Sequence, residues 1–205
     1  MAVAAAPSDA DSDQSDPLTR TSIAGAAPDL QVLRPRRWRR WILGALLLFT
    51  AGLLVPEHAQ IPVTGASRAD WNPRTFWYEP WGASGVHKGI DIFAPTGRPV
   101  VSATAGIVVF RGELKLGGQV VAVLGPKWRI HYYAHLSSFA DKPWLVASGT
   151  PIGAVGSSGN AVGKSPHLHY TVLSLIPLPW LATRQTQGWR RMFYLDPGAL
   201  FTEPA

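Results

Sequence analysis

The sequence predicts a mainly β protein, in which an antiparallel β-sheet is preceded by a single N-terminal apolar helix. Three observations support this fold class. Short runs with strand-like composition, separated by Gly and Pro, follow one another from about residue 60 onward. The intervals between these runs are too short for the crossover helices that a parallel sheet requires. One uninterrupted apolar run, at residues 41–55, stands apart near the N-terminus.

The first 70 residues are expected to carry a tail, an anchor and a linker. Residues 1–33 are rich in Ala, Asp, Ser and Pro, a composition typical of disordered segments, and we expect a disordered cytoplasmic N-terminus there. Residues 34–56 combine an arginine cluster with the apolar run, and we interpret them as a transmembrane signal anchor. Arginines before the run favour a cytoplasmic N-terminus and an exported C-terminal domain. Residues 57–70 are expected to be a linker.

The length of the apolar run leaves an alternative open. Its roughly 15 residues are fewer than the ~20 of a spanning helix and near the upper limit of a signal-peptide core. Trp38 and the arginines extend the span if their polar ends reach the interface. A cleaved signal peptide is the second interpretation, although the nearest small-x-small site, at residues 65–67, is distant.

Composition and charge exclude several classes of protein. The chain has 205 residues, enough for one domain plus a tail, and no cysteine, so disulfides and thiolate metal sites are excluded. The formal net charge is +6, and residues 60–205 carry this excess with 13 Lys+Arg against 7 Asp+Glu. A basic exported domain suits a polyanionic cell wall. No nucleic-acid-binding motif is present, and residues 158–165 lack the first Gly of a phosphate-binding loop.

Six runs are predicted to be the strands of the sheet. They lie at residues 100–103, 106–111, 119–124, 129–134, 151–155 and 168–173. Gly117-Gly118 and Gly125-Pro126 interrupt them, and such pairs are typical of turns. Because short turns join successive runs, we expect the strands to pair in antiparallel fashion.

Five residues in three short motifs carry the functional signal. The motifs are H-K-G-I-D at 87–91, Y-A-H-L at 133–136 and H-L-H-Y at 167–170. The candidate residues are His87, Asp91, His135, His167 and His169. Imidazole nitrogen and carboxylate oxygen are ligands that zinc accepts, and two histidines plus one carboxylate leave a position for water. The pattern therefore predicts metal-assisted hydrolysis.

The three motifs, in this order, closely resemble those of the lysostaphin-type, or LytM-domain, zinc metallopeptidases, which cut peptide bonds in bacterial peptidoglycan. The resemblance covers roughly residues 70–175, including the glycine-rich loop at 153–163. It implies a lysostaphin-like (duplicated hybrid motif) domain at 71–175, with the metal at the floor of an open groove. Loops that are expected to form the groove walls and to select the substrate lie near residues 72–86, 112–118, 137–148 and 156–166.

The resemblance also assigns a role to each of the five candidates. It implies that His87, Asp91 and His169 bind one Zn²⁺ ion per chain, and that His135 and His167 are catalytic. Spacing agrees in part, since His167 and His169 lie two residues apart on a strand and face the same side. One catalytic histidine is expected to accept the proton of the attacking water, and the other to stabilise the oxyanion or protonate the leaving amine. The sequence leaves open which does which.

Three further residues are weaker candidates. On a strand through residues 129–135, His131 and Tyr133 share a face with His135, which makes them candidates for hydrogen bonding around the site. The alternative is that both are packing residues. Inhibitory segments of the resembled family place an asparagine on the metal, and the resemblance therefore implies Asn72, the one asparagine upstream of the motifs, as the candidate.

Residues 176–205 extend beyond the family pattern. They mix aromatic and basic side chains, for example Trp189, Arg190 and Phe193. We expect this extension to pack on the domain and to bury its aromatic rings. An additional groove wall, or a surface that faces the membrane, is the alternative.

The favoured function is a zinc-dependent endopeptidase that hydrolyses peptide cross-links or stem peptides of bacterial peptidoglycan. We expect a single-pass protein of the bacterial inner membrane, with its catalytic domain in the periplasm and a protein regulator that protects the cell's own wall. Two alternatives are a non-catalytic LytM-type module that activates a cell-wall amidase, and a metallopeptidase with a protein substrate. The bond that is cleaved and the oligomeric state are left open by the sequence.

Overall fold

The structure of the protein, a computed structural model, describes residues 36–141 and 144–201. This part of the chain contains one α-helix, α1 (Arg36–Leu54), nine strands and several short 3-10 turns. The strands are β1 (Ile90–Phe93), β2 (Pro99–Val101), β3 (Gly106–Leu114), β4 (Gly118–Gly125), β5 (Arg129–Phe139), β6 (Leu145–Val146), β7 (Pro151–Val155), β8 (His167–Ser174) and β9 (Tyr194–Leu195). The predicted disordered segment, residues 1–33, lies outside the described residues.

The strands form the antiparallel sheet that the sequence predicts. The main path runs in the order β1-β8-β5-β4-β3-β6, while β7 pairs with both β2 and β5, and β9 pairs with β8. Every one of these pairings is antiparallel. All six predicted runs overlap strands. The strands β1, β6 and β9 were not predicted, because runs of four or two residues are too short to show an alternating pattern.

The two central strands separate a hydrophobic core from a groove. Tyr133 of β5 and Tyr170 of β8 are opposite each other in the register and are fully buried in the core. The next pair, Ala134 and His169, faces the other side, because successive side chains alternate across a strand. The alternation therefore directs His169 to the groove, while the next residue, Tyr170, packs in the core.

Residues 57–70, which were expected to be a linker, pack against the sheet instead. Ala59 and Val63 are buried in the main core. The amide of Gln60 donates to the carbonyl of Ala103 at 3.0 Å, and Val63 forms a bridge with Val100. Apolar side chains at alternate positions of an extended segment account for this packing, since they let the segment lie along the sheet.

The predicted membrane span at residues 34–56 is not found. Among the described residues, no helix is long and apolar enough to cross a membrane. Arginines occupy the first turn of α1, so its apolar part, residues 41–54, is about 21 Å long, against a hydrocarbon layer of about 30 Å. The helix ends against the domain, where Nε1 of Trp128 donates to the carbonyl of Phe49 at 2.9 Å and the two rings stack.

Candidate metal centre

Three side chains bring their ligand atoms together at the middle of the groove. Asp91 of β1 lies opposite His169 of β8 in the register, and His87 precedes β1 by three residues. Nδ1 of His169 is 2.8 Å from Oδ1 of Asp91, and Nε2 of His87 is 3.1 Å from both of these atoms. The three residues therefore form a cluster that could hold a metal ion.

The outer nitrogens of both histidines have hydrogen-bond partners that fix the orientation of the rings. Nδ1 of His87 donates to the carbonyl of Thr75 at 3.0 Å, which leaves its Nε2 free to face the cluster. Nε2 of His169 lies 3.0 Å from the hydroxyl of Thr171, which leaves Nδ1 at the cluster. Sequence analysis missed both partners. The contact with Thr171 could have been predicted, since Thr171 lies two residues after His169 on the same strand face.

The charge state of the cluster suits a divalent cation. Burial raises the pKa of Asp91, but hydrogen bonds from His169 and His87 outweigh this effect and hold the pKa of the carboxyl well below its usual range. Burial lowers the pKa of His169, which favours its neutral form. Two imidazoles and one carboxylate are a donor set that zinc accepts, and they leave coordination positions open. The residues thus fit the metal that the sequence motifs imply.

His135 reaches the cluster through an unusual backbone conformation. Its φ angle is 63°, in the left-handed region, and the pairing of β5 with both β4 and β7 shifts register close to it. Nδ1 of His135 donates to the carbonyl of Ser158 at 2.9 Å, so Nε2 faces the groove. Burial, followed by the charges of His169 and His167, lowers the pKa of His135 to about 4. The ring is therefore neutral at pH 7 and can accept a proton.

His167 completes the group of five. Its Nδ1 donates to the carbonyl of Ser165 at 2.7 Å, and its Nε2 lies 3.9 Å from Oδ1 of Asp91. The rings of His135 and His167 are 5.1 Å apart between centroids. The structure therefore brings together all five residues of the three motifs. The imidazoles of His135 and His167 lie beside the cluster of His87, Asp91 and His169.

His131 and Tyr133 lie on the opposite face of the sheet. Both are fully buried in the core. Nδ1 of His131 is 2.6 Å from the hydroxyl of Tyr170, and the hydroxyl of Tyr133 accepts a hydrogen bond from the amide of Ala103. Simple alternation would have placed them beside His135, but the left-handed residue at 135 breaks the alternation, so the three do not share a face.

Asn72 is not among the residues that line the groove over the metal cluster. Its side chain accepts a hydrogen bond from the amide of Arg74 at 3.0 Å and caps the short turn Pro73–Thr75. The asparagine is exposed and belongs to local turn structure, as is common for this residue type.

A groove of about 820 Å³ runs over the cluster. Its floor is formed by residues of β5 and β8, including Ile130, Tyr132, Ala134, Thr171 and Leu173. Three of the four predicted wall loops contribute residues, at 80–86, 116–117 and 160–165. The described part of the fourth, residues 137–148, does not line the groove, whereas Tyr194 of the C-terminal extension does.

Comparison with known proteins identifies the family of this site. Residues 85–175 match the model of peptidase family M23. This region of the chain belongs to family M23. An L-Ala–D-Glu endopeptidase of Bacillus subtilis is 36% identical over 157 residues, which are 67% of this chain and 45% of the relative. The DD-carboxypeptidase/endopeptidase Mpg of Neisseria meningitidis is 40% identical over 85 residues, which are 42% of this chain and 19% of the relative.

A solved structure agrees with the M23 fold. The lytM structure from Ruminococcus gnavus has a TM-score of 0.51 and 22% identity, and the alignment covers 77% of this chain and 69% of that one. The M23 chain spans less than half the length of either curated relative named above. All five motif residues lie inside the matched M23 region, whereas the wall residues 80–84 and Tyr194 lie outside it.

Proposed function

We propose that this M23 protein is a zinc-dependent endopeptidase that hydrolyses peptide bonds in bacterial peptidoglycan. One observation carries the proposal: three ligand atoms within 3.1 Å of one another lie beside two further imidazoles in an open groove. A hydrolytic metal site requires this combination, because the metal needs an open position and the reaction needs a group that moves protons.

The proposed roles of the five residues follow from the hydrogen bonds that orient each imidazole ring. His87, Asp91 and His169 would hold the ion, and bound Zn²⁺ would supply Lewis-acid activation of the water nucleophile and of the peptide carbonyl. His135 is neutral and directs Nε2 into the groove, so we assign it as the acceptor of the proton from water. His167 directs its Nε2 toward the same space and would stabilise the oxyanion or protonate the leaving amine.

The charge of the groove supports an acidic peptide as the substrate. Lys88 and Lys164 line it, and the one carboxylate among its lining residues is Asp91, which belongs to the metal cluster. A groove with unmatched positive charge favours a substrate that carries carboxylates. The Bacillus subtilis relative is an L-Ala–D-Glu endopeptidase, and its name agrees with such a substrate. We therefore propose a bond near an acidic residue of the stem peptide.

We also propose that the catalytic domain lies on the exported side of the inner membrane and is attached there by α1, whose apolar part inserts into the lipid without crossing the whole hydrocarbon layer. The large apolar side chains along α1, among them Trp41, Leu47 and Leu54, are exposed in the folded chain and support contact with lipid. Carbonate extraction of membranes and protease accessibility in spheroplasts test this part. Release of the intact protein by carbonate, or protection of the domain from external protease, would contradict it.

The test of the activity uses the full chain and purified sacculi of several cross-link types. We expect zinc-dependent release of new peptide termini, identified by mass spectrometry, and no release after chelation or in the Asp91→Asn variant. Zinc content and thermal unfolding are measured on the same samples. A folded, zinc-loaded protein that releases nothing from any sacculus would overturn the endopeptidase, and stimulation of an amidase by that protein would establish the activator module instead.

A further inference from the structure

The C-terminal extension packs against the groove wall that leads into His87. We define the wall as residues 76–86 and the brace as residues 187–194. Nε2 of Gln187 donates to the carbonyl of Ser84 at 2.9 Å, and a side chain at Gly85 would collide with this amide. Gln187 and Ser84 both lie outside the residues that match family M23, whereas Gly85 is the first residue of the match.

Aromatic contacts join the brace to the wall at a second point. The guanidinium of Arg191 lies 5.1 Å from the ring centroid of Phe76 and 5.8 Å from that of Trp77. The ring of Tyr194 lies 5.7 Å from the ring of Trp77. Trp77 is buried, so the cation–π contact is partly shielded from water and stronger than an exposed one.

The wall, in turn, holds the metal ligand His87. The ring of Trp81 stacks on the imidazole of His87 with 4.1 Å between centroids and 22° between planes. The amide of Trp77 donates to the carbonyl of His87 at 2.7 Å, and the amide of His87 donates to the carbonyl of Tyr78 at 3.0 Å. Asp91 and His169 are fixed by pairing between two strands, whereas His87 lies outside any strand. Its position therefore depends on the wall.

The wall has a backbone that needs support from outside. Trp77 has a φ angle of 62°, a left-handed conformation that is unfavourable for a bulky residue. Such a conformation persists where surrounding contacts determine it. The contacts of Trp77 include Arg191 and Tyr194, both in the brace.

We propose that the brace holds the wall, and through it His87, in the geometry that binds the metal, so that Gln187 and Arg191 are positioning residues. The inference rests on the proposed function only in taking zinc as the ion. It assigns to the C-terminal extension a role that the matched M23 region does not contain. Loss of the brace contacts leaves the core and the β1–β8 pairing in place and releases the wall.

The test compares two arginine substitutions in the full-length protein. Arg191→Met removes the cation over Phe76 and Trp77 but keeps a long apolar side chain, and Arg184→Met is the matched control at an exposed position of the same extension. Zinc affinity is measured on metal-free protein by competition with a chromophoric chelator. We expect Arg191→Met to weaken zinc binding about 10-fold, the lower end of the effect of losing a partner that orients a ligand, and Arg184→Met to leave it unchanged.

Two further variants and one exchange measurement distinguish loss of the brace from a general loss of folding. Arg191→Lys retains a cation and should restore most of the affinity, and Gln187→Leu should weaken zinc binding even if Arg191→Met does not fold. Hydrogen exchange of metal-free Arg191→Met should increase in residues 76–86 and remain unchanged in β5 and β8. Unchanged zinc affinity in both folded variants would overturn the brace. Because none of these readouts is hydrolysis, failure of the brace and failure of the proposed peptidase are distinguishable.

Discussion

Nε2 of His131 lies 3.2 Å from Oε1 of Glu57, in the interior and on the face of the sheet that is remote from the metal cluster. The other carboxylate oxygen of Glu57 is paired with the guanidinium of Arg129. The carboxylate is almost fully buried, although it follows the end of α1 by only three residues. The segment after the helix is therefore part of the domain and carries the counter-charge for Arg129 of β5.

The first prediction concerns this buried carboxylate. Glu57→Gln should lower the free energy of unfolding by about 3 kcal/mol, because it leaves the Arg129 guanidinium without its counter-charge in a largely buried position. Equilibrium denaturation in urea measures the change. The control, Glu113→Gln, alters an exposed carboxylate and should stay within about 0.5 kcal/mol of the parent. Equal stability of the two variants would show that the pair contributes nothing.

The second prediction concerns His135. His135→Asn should retain one zinc ion per chain and lose hydrolysis by about 100-fold or more, because it removes the proposed proton acceptor and keeps the three proposed metal ligands. Asparagine is chosen because it tolerates the left-handed backbone at φ 63° better than alanine does. Peptide release from sacculi and metal content are measured together. Substantial remaining activity would refute the assignment of His135 as the base.

Two members of the candidate metal cluster, Asp91 and His169, could be predicted from the sequence because they lie on a regular framework of strands. His169 follows His167 by two residues on a strand, and Asp91 pairs with His169 across the β1–β8 ladder. These are consequences of period-two alternation and register. His87 depends on the wall instead, and its partner, the carbonyl of Thr75, has no side-chain signature in the sequence.

Other features escaped sequence analysis for identifiable reasons. The strand pattern alone places His131 beside His135, and the left-handed residue at 135 that separates them leaves no mark in the amino-acid sequence. Glu57 looks like a linker residue until the fold brings it to Arg129. The contact between Gln187 and Ser84 joins residues 103 positions apart, a separation over which local patterns carry no information.

The third prediction concerns the hydroxyl that orients His169. Thr171→Val keeps the shape of the side chain and removes the atom that lies 3.0 Å from Nε2 of His169. Zinc affinity should fall about 10-fold, because the ring loses the hydrogen bond that fixes its tautomer and angle. Competition with a chelator measures the affinity. Thr150→Val, in a turn remote from the groove, is the control; equal affinities in the two variants would show that the hydroxyl does not orient the ligand.

The fourth prediction concerns Lys164, which lines the groove and forms no ion pair among the described residues. Lys164→Gln should raise KM about 3-fold for a stem peptide that carries a free carboxylate and leave kcat unchanged, because an exposed charge contributes to substrate binding and not to the chemical step. Lys115→Gln, an exposed lysine near the groove that does not line it, is the matched control.

A change in the substrate tests whether Lys164 binds the peptide carboxylate. Amidation of the peptide carboxylate should raise KM for the parent protein and have no further effect on Lys164→Gln, since the interaction has already been lost. Added salt should reduce the difference between parent and variant, as expected for an exposed charge pair. If amidation raises KM equally in both proteins, the carboxylate binds elsewhere in the groove, and Lys88, the other lysine that lines it, becomes the residue to substitute.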